Sequence, residues 1–99
     1  MFEWLDMIGN YEQRKVANFK NDIFEIDTAY VTDRTQPYET AIRHKNFNYN
    51  NWIVLGWSST KEQAQEDHDK WIERFLNSPY PEKITDAYDD IDYYKLEDK

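Results

Sequence analysis

Residues 37–76, PYETAIRHKNFNYNNWIVLGWSSTKEQAQEDHDKWIERFL, pass through three hydrophobic patterns in succession, and their reading decides the fold. Tyr38 to His44 alternates: Tyr38, Thr40, Ile42 and His44 fall on one face of a strand, Glu39, Ala41 and Arg43 on the other. KNFNYNN then supplies an asparagine-rich connection of the kind that tolerates left-handed backbone. WIVLGW, 52–57, is nearly continuous apolar, the pattern of a central strand buried on both faces, and Gly56 within it signals a bulge or a close backbone approach. From residue 60 the period becomes helical. Ala64, His68, Trp71, Ile72 and Phe75 form one stripe, Ser59 or Thr60 can cap its start with Glu62 or Gln63 three residues on, and Asn77-Ser78-Pro79 ends it.

Outward from that block, IFEIDTAYV at 23–31 alternates as a further strand, joined to the next by the turn residues TDRTQP, 32–37. Phe2, Trp4, Leu5 and Ile8 predict a short helix over residues 2–8, stopped by Gly9-Asn10. The expected fold is therefore α+β: a three-stranded antiparallel sheet packed by one main helix, with a short N-terminal helix. Residues 1–80 form one small domain, and 81–99 an acidic, tyrosine-rich arm. Between Glu82 and Lys99 seven acids face three lysines. Ile84, Tyr88 and Ile91 have helical spacing, but an extended arm fits the same residues equally well.

Composition excludes several functions. The 99 residues carry 20 acids against 12 basic residues, a net charge of −8 that repels nucleic acid and favours basic partners. Without cysteine there is neither a disulfide nor a thiolate metal site, which is compatible with a reducing compartment. No apolar run reaches the roughly 20 residues of a membrane span, and the N-terminus lacks the layout of a signal peptide. These features lead to the expectation of a soluble, intracellular protein with no membrane partner.

The middle of the chain resembles a set of short, mostly uncharacterised bacteriophage proteins. The resemblance is carried by VTD at 31–33, PYETAIRH at 37–44, the asparagine turn, WIV at 52–54 and TKEQAQEDHDKW at 60–71, and the opening MIGNYEQRKV also looks like their N-termini. It covers roughly residues 4–75. Those relatives usually have proline where this chain has Lys45, and glycine where it has Asp67. The resemblance implies a phage setting and a fold unit, not an activity.

His44 and His68 are the residues most able to carry proton transfer or metal binding. No third histidine, cysteine or H-E-x-x-H completes a zinc set, so both are expected to be structural, with His68 in the helix stripe. Ser58, Ser59, Thr60 and Ser78 lie at helix ends, where capping accounts for them, and two glycines leave no phosphate-cradling loop. The sequence thus predicts no enzyme, no metal and no cofactor.

The expected binding residues are Asp86, Tyr88, Asp89, Asp90, Asp92, Tyr93 and Tyr94 of the arm, with Phe47 and Tyr49 of the asparagine turn. If helical, the arm's acids would stand about 4 Å apart; if extended, about 8 Å apart. Only the former approaches the one charge per ~1.7 Å of duplex DNA. The function this predicts is a small acidic phage accessory protein that binds and inhibits a host protein in the host cytoplasm. Its target would be a nucleic-acid-handling defence enzyme with a basic groove, of CRISPR or restriction type. The alternative is a structural or assembly protein of the virion that binds other phage proteins.

Overall fold

The structure, a computed structural model, describes residues 15–31, 35–77 and 81–96. The predicted helix at 2–8 lies outside these residues. The fold is α+β. Strands β1 (Lys15–Lys20), β2 (Phe24–Tyr30), β3 (Tyr38–His44) and β4 (Trp52–Ser58) form an antiparallel sheet in the order β1-β2-β3-β4, and helix α1 (Lys61–Leu76) follows. Strands β5 (Lys83–Asp86) and β6 (Ile91–Tyr94) form a separate antiparallel hairpin.

Two expectations about the sheet are corrected. It has four strands rather than three, because KVANFK, with no clear alternation, pairs with the outer edge of β2 through a bulge between Lys15 and Ala17. The apolar strand β4 is an edge, not a central strand, while the pairing of β1 makes β2 central; β2 and β3 are buried on both faces. The unbroken WIVLGW run has a different cause. One face of β4 packs under α1, while its exposed edge is covered by the hairpin, where Ala87 N–H donates to the Val54 carbonyl at 2.8 Å. The bulge expected near Gly56 is present: Thr40 pairs with Gly56 and Ala41 with Val54, leaving Leu55 unpaired.

Alternation in β2 and β3 sends Phe24, Ile26 and Ile42 toward α1, where they meet Ile53, Phe47, Phe75 and Ile84 in one buried cluster. Thr28 and Thr40 lie on the same face and would be orphaned polar groups under a helix. His68 resolves this. Its Nδ1 lies 2.8 Å from Thr28 Oγ1, which lies 2.8 Å from Thr40 Oγ1, so the single Thr28 hydroxyl donates to one neighbour and accepts from the other. On the opposite face Asp27 accepts from Asn18 Nδ2 at 3.0 Å and Glu39 from Trp57 Nε1 at 3.1 Å. Arg43 bridges to Glu25 and lies over the Trp52 ring, 5.1 Å from its centroid.

Helix α1 begins as its sequence dictates. Thr60 is the N-cap, its hydroxyl accepting from Gln63 N–H at 3.1 Å, and Asn77 closes the other end by donating its amide to the Glu73 carbonyl at 2.8 Å. Ser58 donates to Asp67 at 2.7 Å, fixing the helix against the end of β4.

Candidate functional site

The asparagine turn and the C-terminal hairpin together build the candidate interface. In the turn, Asn48, Tyr49 and Asn50 all have positive φ, at 49°, 52° and 65°. Asparagine tolerates this conformation and tyrosine does not, so Tyr49 sits in strained backbone with its ring 77% exposed. Phe47, two residues earlier, turns inward. The expectation that it serves a partner is corrected: it is 2% exposed, edge-on to His44 at 4.9 Å and to Phe75 at 6.4 Å. The loop leaves the sheet where the core is still open beneath it, and a large apolar ring gains more there than in water.

Residues 83–94 settle the open question of the arm. They are extended, paired as Lys83–Tyr94, Ile84–Tyr93, Thr85–Asp92 and Asp86–Ile91. The arm is also part of the domain, because Ile84 is buried in the core with Tyr93 packed against it. Asp86, expected at the interface, instead builds the turn. It is 6% exposed, and its Oδ1 accepts from Tyr88 N–H at 2.8 Å and Asp89 N–H at 3.3 Å while its carbonyl accepts from Asp90 N–H at 2.7 Å. Asp90 supplies the left-handed residue, φ 57°, that closes the loop. Asp86→Ala should therefore lower stability by about 1–3 kcal/mol in chemical denaturation, through loss of buried acceptors, and weaken binding only as far as it disorders the turn.

The remaining expected residues divide by face. Asp92 accepts from Thr85 Oγ1 at 2.6 Å and Lys83 Nζ at 3.3 Å, and these bonds hold its carboxyl below the usual range. Tyr93 is half-buried on the inner face. Tyr88, Asp89 and Asp90 at the turn are exposed, as is Tyr94 on the outer face, and Ile91, not among the expected binding residues, adds an exposed aliphatic group. Leu96 N–H donates to the Asn46 carbonyl at 2.7 Å, tying the end of β6 to the turn that carries Tyr49. The exposed residues thus fall into two groups: Tyr88, Asp89, Asp90 and Ile91 at the turn of the hairpin, and Tyr94 at its other end, where Leu96 meets the turn that carries Tyr49.

The histidines stand apart from each other. His68 meets Thr28, whereas His44 stacks on Phe24 at 5.8 Å and touches Phe75, seven residues or about 10 Å further along α1 than His68. His44 Nδ1 accepts from Asn46 N–H at 3.0 Å. Burial, helped by the nearby Lys95 ammonium, lowers the His44 pKa to about 4; burial also lowers that of His68, against the opposing pull of Asp69. Both rings are neutral at pH 7, as structural histidines in a core are. Among the described residues no group of three or more His, Cys, Asp or Glu side chains could hold a metal, and no helix is long and apolar enough to cross a membrane. Comparison of the chain with protein-family models, with curated proteins and with solved structures finds no match.

Proposed function

We propose that this chain is a non-enzymatic protein-binding module that docks through the hairpin edge onto a basic surface of its partner. The observation that carries this reading is the exposure of Tyr88 (53%) and Ile91 (45%) about the Asp89–Asp90 turn of a hairpin already fixed to the core, with Tyr94 (63%) exposed further along it. Amphipathic rings on a pre-ordered support give contact area at little entropic cost, and the carboxylates beside them select and steer a cationic partner. With the resemblance to short phage proteins, the partner is a host protein that the module inhibits, of the nucleic-acid-handling defence class.

The hairpin favours contact with protein side chains over imitation of a duplex. The hairpin presents no regular ladder of acids: Asp86 is buried in the turn, and Lys83 neutralises Asp92 in part. Inhibition would come from covering a basic surface rather than from reproducing a phosphate ladder. Capture of the tagged protein from phage-infected cells should return a host nucleic-acid enzyme, with binding that weakens as salt rises. Recovery of capsid, portal or tail proteins instead would replace this reading with a virion role.

A further inference from the structure

A cavity of about 200 Å³ opens between the start of β2, the end of β3 and the end of α1, at the far side of the core from the His68 network. Its floor is aromatic, made by the buried rings of Phe24, Phe47, Phe75 and His44; exposed Ile23 and Leu76 extend the apolar surface to its rim. A dry cavity of about 150 Å³ suffices to take up a benzene ring, so this one has room for a ring with a short substituent.

The polar groups around it share one character. His44, 6% exposed, has its Nδ1 filled by the Asn46 backbone N–H, so the neutral ring carries its proton on Nε2. That N–H has no hydrogen-bond partner among the described residues, unusual for a group so deeply buried. Asn21 accepts from Ile23 N–H at 2.8 Å and Phe24 N–H at 2.9 Å through its Oδ1, so its amide N–H groups are the donors it brings to the lining. Lys95 supplies the only charge on the lining, and its ammonium has no carboxylate partner among the described residues. Three kinds of donor line the cavity, and none of its lining residues is acidic.

We propose that this cavity binds a small organic carboxylate with an aromatic or branched apolar body. The body occupies the aromatic floor, and the carboxylate accepts from His44 Nε2–H and Lys95. Charge-assisted bonds of this kind are the stronger class, and they separate an acid from its neutral isostere. The cavity abuts the end of the hairpin, since Lys95 and Asn46 line it, but the proposal does not rest on the binding function proposed above.

Phenylacetate is the probe. Titrated into ¹⁵N-labelled protein, it should cause saturable shifts at His44, Phe47 and the Asn21 side-chain amide, with a Kd in the millimolar range expected for a ligand of this size. Phenylacetamide should bind about tenfold more weakly, the loss of one charge-assisted bond. Lys95→Met, at an exposed position that leaves the core intact, should weaken phenylacetate similarly and leave phenylacetamide unchanged. Absence of saturable shifts up to about 20 mM phenylacetate overturns the proposal. So does equal affinity for acid and amide, unaltered by Lys95→Met.

Discussion

Phe47→Ala lowers the unfolding free energy by about 3–5 kcal/mol, the usual loss for truncating a buried aromatic ring. Phe47 is 2% exposed and its ring contacts His44 and Phe75 at once. Alanine would leave the base of the asparagine turn without its anchor and enlarge the adjoining cavity. Total stability for a domain this size is about 5–15 kcal/mol, so the variant stands at the edge of folding. Tyr49→Ala, two residues on in the same turn, should shift stability by no more than about 0.5 kcal/mol, because that residue is 77% exposed. Urea unfolding followed by tryptophan fluorescence distinguishes them. Small, equal effects of both substitutions would mean that Phe47 is outside the core.

The second large effect is acid destabilisation that begins well above the carboxylate range. His44 has an ordinary value of 6.5 and is lowered to about 4 in the folded state. Above pH 6.5 the ring is neutral whether the chain is folded or not, and it contributes no pH dependence. As pH falls below 6.5 the unfolded chain takes up a proton that the folded one refuses. Stability is then lost progressively until about pH 4, where the folded ring protonates too. At 1.36 kcal/mol per pH unit this amounts to roughly 2–3 kcal/mol, and His68, lowered in the same direction, adds to it. His44→Gln keeps an acceptor for the Asn46 N–H and removes the titration. Stability measured between pH 7.5 and 4.5 should fall in the parent and fall less in this variant. A flat profile in the parent would contradict the neutral, buried assignment of His44.

How much of this was legible in the sequence follows from what each pattern depends on. The faces of β2 and β3, the Thr60 cap and the His68 stripe rest on period and cap chemistry, both local, and they read correctly. Strand β1 did not, since KVANFK has few apolar positions to alternate and gains its structure by pairing with β2. The role of WIVLGW was misjudged because apolar continuity reports burial without saying which neighbour supplies it. In the tail, four-residue strands are too short for a period-2 signal, while Ile84, Tyr88 and Ile91 imitate a helical one; Asp86 opening a turn before Asp90 was the usable cue. Asp86 and Phe47 were assigned to a partner on charge and loop position alone, and tertiary packing took both. The exposed set of Tyr49, Tyr88, Asp89, Asp90 and Tyr94 could be named from composition, but the anchoring of the hairpin that carries most of it came from the Leu96–Asn46 and Ala87–Val54 backbone bonds.

The central claim is that the exposed turn of the hairpin is the binding face. It is tested most directly by partner capture from infected cells with two forms of the tagged protein: the parent, and Tyr88→Ser/Asp89→Asn/Asp90→Asn, which alters exposed side chains and leaves Asp86 to hold the turn. With circular dichroism and unfolding midpoints unchanged, the variant should lose its partner by about tenfold or more, the loss of one central tyrosine and two facing charges, with a shallower dependence on salt. Undiminished capture of the same partner by the folded variant would contradict the account.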